Sequence, residues 1–219
     1  MDQNRKQDDR ALPQYAPAER EENELGVASP TALREPQEEV ELLSMAEEIL
    51  SQLSTPVERM LAAQSPMPIA TAAAFLEEIC RNMESVTVEV PKDTLAAVTT
   101  CIHNLFFCLG TVIHYAIAHV EHVRVFTELG ETEGYFYVEA DTAAESKQEV
   151  LACFGLTPER LFVLQKIATA SDFSFRAVAG DRATLVFTLP RTEAHTIPLR
   201  AAGDTTLRAA FLLPLTVFS

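Results

Sequence analysis

The chain has 219 residues, 47% of them hydrophobic and 22% charged, and a formal net charge of −15. That length supports one core of ordinary domain size plus an appendage, while the acidic excess, unrelieved by any Lys/Arg cluster, excludes nucleic acid as a direct partner. No run of about 18 apolar residues offers a membrane span, and no leader precedes a small-residue cleavage site, so a cytoplasmic protein is expected.

Residues 1–37 mix Asp, Glu, Arg, Gln and Pro with few large apolar side chains. They cannot bury enough surface to offset the entropy of ordering and are expected to form a disordered acidic tail. From residue 38, Leu42, Ala46, Ile49, Leu53, Val57 and Met60 recur at three and four residues, the spacing of an apolar stripe on a helix. Pro56 should kink that helix. Ser65-Pro66-Met67-Pro68 reads as a break, and residues 71–83 as a second helix with Ala74, Phe75, Ile79 and Met83 on one face. The expectation for residues 38–85 is a helical hairpin too small to enclose a core alone, packing on the next domain or forming a homodimer.

Residues 86–192 have a mixed rhythm. Val86 to Val90 alternates like a short strand, and residues 93–119 read as a long, nearly all-apolar, buried helix. Strands are expected at residues 122–128 and 135–140, separated by Gly130 and Gly134. Thr157-Pro158 opens a helix to Ala170, with Thr157 as N-cap and Pro158 at the first helical position. Residues 173–178 and 184–189 then read as strands around a turn at Ala179-Gly180-Asp181. That order indicates helices on one face of a mixed sheet, an α+β two-layer sandwich. The extension 193–219 ends in an apolar stretch from Leu207 to Phe218 containing Pro214, too short for a bilayer, and a covering strand or coil is expected there.

This order, closing on Gly180-Asp-Arg-Ala-Thr-Leu-Val-Phe-Thr-Leu-Pro190, resembles the ATP-binding domain of sensor histidine kinases, of the Bergerat (GHKL) type. Leu161 to Ala168 falls where the family's helix after the ATP lid belongs. The resemblance implies that the first long helix should carry an Asn-Leu-x-x-Asn-Ala box, its second Asn holding the magnesium of ATP. Two registers fit: one begins at Asn104 and puts Cys108 at the metal position, the other puts Thr111 there. A thiol or lone hydroxyl is a poor ligand for a hard cation. The family's Asp-x-Gly-x-Gly box keeps its Asp at Asp141, but Ala143 and the residues around it leave no glycine for close approach of a ligand. The later phosphate-cradling glycines survive as Gly155, followed by a proline that removes an amide. Thr184 matches the family's threonine in the last strand, with Ala183 as the other register.

Leu50-Ser51-Gln52-Leu53-Ser54-Thr55-Pro56-Val57 resembles the phospho-acceptor segment of kinase dimerisation helices, with Ser51 where the acceptor histidine would stand. The resemblance therefore implies a non-catalytic signalling or scaffold protein with no cofactor. It would form a homodimer through residues 38–85 and take a kinase or response regulator as partner. The alternatives are a divergent, active histidine kinase using ATP with magnesium, and a histidine phosphotransfer relay.

No other catalytic pattern stands out. His114, His119 and His122, with His103 nearby, do not share one helical face and lack a completing carboxylate, so no metal site is expected. Cys80, Cys101, Cys108 and Cys153 have no C-x-x-C spacing and sit in apolar surroundings, as reduced core thiols do.

Overall fold

One mixed sheet organises the chain in the computed structural model, which describes residues 36–53, 65–92, 97–192 and 205–218. Among the described residues the sheet has seven strands: β1 (Ser65–Pro68), β2 (Val86–Val88), β3 (Ala97–Thr100), β4 (Val123–Leu129), β5 (Glu133–Ala140), β6 (Ser174–Val178) and β7 (Thr184–Thr192). Their spatial order is β1-β3-β7-β5-β4-β2, with β6 also paired to β7. Only β2 with β4 is parallel; every other pair is antiparallel. The long β7 joins the halves: β5 pairs it from Thr184 to Pro190, β6 from Thr184 to Thr188, and β3 takes Arg191 and Thr192.

Alternation along β5 shows the layering. Gly134, Phe136, Val138 and Ala140 are buried, whereas Glu133, Tyr135, Tyr137 and Glu139 are half-buried on the other face. A sheet with one face under helices and one toward water reads this way. The helices are α1 (Pro36–Gln52), α2 (Ile69–Cys80), α3 (Ile102–Ala116), α4 (Lys147–Cys153), α5 (Pro158–Ala170), α6 (Thr205–Leu212) and α7 (Pro214–Val217). The expected order of long helix, two strands, helix and two strands is present as α3, β4, β5, α5, β6 and β7. Thr157 caps α5 by accepting from the Arg160 N–H, with Pro158 in its first turn, as the sequence indicates.

The hairpin expectation needs correction. The α1 helix lies against α5, while α2 lies against β1, β2 and β4, so the two helices belong to the sandwich rather than pairing chiefly with each other. The stripe Leu42, Ala46, Ile49 and Leu53 is buried within this chain, which removes the exposed apolar face that argued for a homodimer. Val57, Met60 and the Thr55-Pro56 step lie outside the described residues, as does the arm 1–35.

Other boundaries move too. The segment read as a break is β1, an edge strand among the described residues, and an edge position tolerates Pro66 and Pro68. The long helix expected from residue 93 starts only at Ile102, because Ala97–Thr100 is strand β3. A short helix, α4, occupies what read as loop; Ser146 caps it by accepting from the Glu149 N–H. The described part of the C-terminal extension, from Thr205, is helical rather than strand or coil: Pro214 opens α7, where its missing N–H costs nothing.

Candidate functional site

The helix α3 is apolar on all sides, and such a helix needs cover on all sides. Every residue from Ile102 to Ile113 is buried. The helix shares one hydrophobic core with the sheet, and α5, α6 and α7 pack against α3. Gly110 is the point of closest approach: a Cβ there would fall 2.2 Å from the Phe211 carbonyl oxygen, so only glycine lets the α6 backbone come this near. Around that contact the Phe211 ring lies 4.9 Å from His114, and Phe218 lies 6.2 Å from Phe107 and 6.4 Å from Tyr115. The Tyr115 hydroxyl donates to the Phe218 carbonyl at 3.3 Å, and His103 Nε2 shares a 2.7 Å hydrogen bond with Thr206 Oγ1. The contacts with α6 and α7 thus run from one end of α3 to the other.

This packing decides what the Asn-box positions can reach. Asn104 Nδ2 donates to Ser171 Oγ at 2.6 Å, while its buried Oδ1 has no hydrogen-bond partner among the described residues. The Ser171 hydroxyl in turn donates to the Ile167 carbonyl, so this polar pair ties α3 to the end of α5. Cys108 and Thr111 are both 0% exposed. Burial pushes the Cys108 thiol above its ordinary pKa, which keeps it protonated. The Thr111 hydroxyl donates back to the Phe107 carbonyl at 2.9 Å, a bond within its own helix. Asn104, Cys108 and Thr111 all lie along one buried helix, and neither candidate register offers a donor to solvent.

The strand-side positions are in a different environment. Asp141 stands exposed just past β5, its Oδ1 accepting from the His122 N–H at 3.3 Å. The turn after it is held by backbone bonds: Thr142 O accepts from Ala183 N–H, and Ala144 and Gly180 exchange two hydrogen bonds. Thr184 opens β7 with its hydroxyl donating to the Arg182 carbonyl at 3.2 Å, and the alternative, Ala183, is fully buried. Gly155 ends α4 with φ of 58°, where a Cβ would fall 2.9 Å from His119 Nε2. Its carbonyl accepts from Arg160 Nη1 at 2.9 Å, and that guanidinium lies 3.7 Å from the Tyr115 ring centroid. Gly155 therefore serves a left-handed helix end that closes on α3.

Ser51 is exposed on α1, next to the exposed Gln52. The histidines diverge: His103 contacts α6, His114 packs on Phe211, His119 borders Gly155, and His122 Nε2 lies 3.0 Å from Thr87 Oγ1. Among the described residues the four cysteines are free, and burial pushes Cys80 up to about 12. Sequence reasoning missed Ser171 as the partner of Asn104 and Gly110 as the seat of α6. Both contacts join residues far apart in sequence, and no local pattern marks them.

The elements α3, β4, β5, α5, β6 and β7 follow in the order expected from the resemblance to histidine-kinase ATP-binding domains and build a two-layer sandwich. No protein-family model and no curated protein matches the chain. Among solved structures it is similar to the Acinetobacter baumannii histidine kinase AdeS, at 13% identity and a TM-score of 0.46, over 70% of this chain and 77% of that one. It is also similar to full-length ShkA in complex with AMPPNP, at 17% identity and a TM-score of 0.43, over 78% of this chain but 40% of that one. For the catalytic domain of histidine kinase ThkA the values are 14% and 0.38, over 57% of this chain and 95% of that one. Such likeness concerns the fold alone.

Proposed function

We propose that the chain is a non-catalytic signalling or scaffold protein derived from a sensor histidine kinase, one that binds no magnesium nucleotide and acts through protein partners. One observation carries the reading: the helix that should present metal and nucleotide ligands is covered along its length by the chain's own C-terminal helices, with Gly110 pressed onto Phe211. The residues present do not fit a magnesium nucleotide. A hard cation wants charged or carbonyl oxygens, and the candidate positions supply a protonated, buried thiol and a hydroxyl spent inside its own helix. On the strand side Asp141 remains, on a turn carrying Ala143 where close approach of a ligand calls for glycine.

The phospho-acceptor position supports the same reading. Ser51 stands exposed where the resemblance calls for histidine, and Gln52 follows where an acidic base is called for. We place the protein in the cytoplasm, with a kinase or response regulator as partner; no helix among the described residues is long and apolar enough to cross a membrane. For a homodimer through residues 38–85, the outer face of α1 offers exposed Val40 and Met45, since Leu42, Ala46, Ile49 and Leu53 of the inner stripe are buried within the chain.

Incubation of the purified chain with radiolabelled ATP and magnesium, followed by gel analysis under alkaline conditions that preserve phosphohistidine, tests the reading. No incorporated label is expected. Label that accumulates with time, and is lost on Asp141→Asn, would establish an active kinase instead.

A further inference from the structure

Among the described residues strand β6 pairs with one strand, and the helix α4 lies near it. The strand pairs with β7 from Ser174 opposite Thr188 to Val178 opposite Thr184, and among the described residues no other backbone group bonds to it. An edge strand offers a row of N–H and C=O groups that templates pairing with another chain. Beside this one runs a groove of about 410 Å³, lined by Phe162, Lys166 and Thr169 of α5 and by Phe173, Ser174 and Phe175. Phe175 sits on the core side of the strand, 5.4 Å from the Phe187 ring, and Lys166 Nζ lies 5.2 Å from the Phe162 ring. Arg176, next along the strand, points to the opposite face and is exposed. A strand laid along β6 would therefore send alternate side chains into the groove and toward Arg176.

We propose that β6 and this groove dock an extended, acidic segment of a partner protein, which joins the sheet as an added strand. Main-chain bonds supply affinity, and the two rows of side chains supply selectivity. The partner's inward residues are apolar, filling the groove beside Phe162 and Phe175; the carboxylates that alternate with them meet Arg176, and Lys166 beside the groove adds to the positive field an acidic chain meets. Charge selects this occupant. The chain as a whole carries −15, yet the charged side chains on the strand and in the groove lining are the cations Arg176 and Lys166. Asp172 belongs to the turn before β6 and is not part of that lining. A second copy is disfavoured, because antiparallel pairing of β6 with itself about its centre sets Arg176 opposite Arg176, and like charges directly opposite destabilise a ladder. Docking here does not depend on the state of the nucleotide region.

The test uses the full chain and a fluorescein-labelled peptide, Glu-Val-Glu-Phe-Glu-Val-Glu, followed by fluorescence anisotropy. Saturable binding is expected, weakened about ten-fold or more by Lys166→Glu combined with Arg176→Glu, and similarly by N-methylation of alternate peptide bonds, which deletes the ladder. A thermal melt of the double variant within about 2 °C of the parent, as for surface substitutions, shows that the fold is kept. Absence of saturable binding, or binding undiminished by charge reversal or by N-methylation, overturns the proposal. Tighter binding of a Lys-for-Glu peptide overturns it as well.

Discussion

On the helix side of the candidate nucleotide region, Asn104, Cys108 and Thr111 are sealed inside a packed interior; on the strand side, Asp141 stands in water at the end of β5. The two walls differ in what covers them. On the helix wall α6 and α7 lie along α3, and its polar groups turn inward to Ser171 and to the helix backbone. The strand wall keeps an acidic side chain on a turn held by its own backbone bonds. Under the proposed reading, a match at Asp141 is weak evidence of activity: it stands where an acidic side chain costs nothing, while the positions that would need an open pocket are the ones buried.

The contrast predicts where substitutions hurt. The largest effect is expected at Phe211, which is 0% exposed and packs on both His114 and Gly110. Phe211→Ala should cost about 3–5 kcal/mol, the usual loss for a buried phenylalanine. At about 2–4 °C per kcal/mol for a domain of this size, the melting temperature should fall by roughly 10 °C. Asp141→Asn, across the region, should stay within about 0.5 kcal/mol of the parent, as exposed sites do. A melt of Phe211→Ala within a degree of the parent would show that the C-terminal helices are not part of the core.

A smaller but more local effect is expected at Gly110. Adding one methyl at Gly110→Ala puts it against backbone, which cannot rotate aside, so α6 has to shift at a cost of about 1–3 kcal/mol. If Gly110→Ala is neutral by denaturant titration, the close approach of α6 to α3 is wrong.

The smallest effect is a pH dependence. Burial against α6 lowers the His114 pKa below its ordinary value near 6.5, the Phe211 backbone bond opposing this in part. The unfolded chain then binds a proton at a pH where the folded chain does not, so this residue's contribution is full above about 6.5 and declines as pH falls below it, levelling off once the folded chain is protonated too. The stability slope on the acid side of neutrality should be shallower in His114→Gln. An unchanged slope would mean the His114 ring is not desolvated by α6.

Much of this fold is legible in the chain, for physical reasons that differ by element. The run from Leu105 to Ile113 has no polar face, which marks a helix enclosed on every side, and Thr157-Pro158 carries its own start signal for α5. The stripe from Leu42 to Leu53 marks a buried face just as clearly, but periodicity states only that a face is covered, not by what. Here the cover is α5, more than a hundred residues later in the chain. The strands β1 and β3 were masked by prolines and by the apolar character shared with α3, and their pairing with each other and with β7 is a tertiary fact. In the candidate site, the residue types at Cys108 and Thr111 foretold poor metal ligands; their complete burial under α6 did not show, because Pro214 in an apolar tail reads as a break rather than as a helix start.

The central claim is that self-packing has replaced the nucleotide on the helix wall. Calorimetric titration of the full chain with Mg-ATP at sub-millimolar concentrations addresses it directly, with Asp141→Asn run alongside. The account predicts no saturable heat from either protein. Saturable heat from the parent that disappears in Asp141→Asn would show a working nucleotide site formed from the exposed wall and would contradict it.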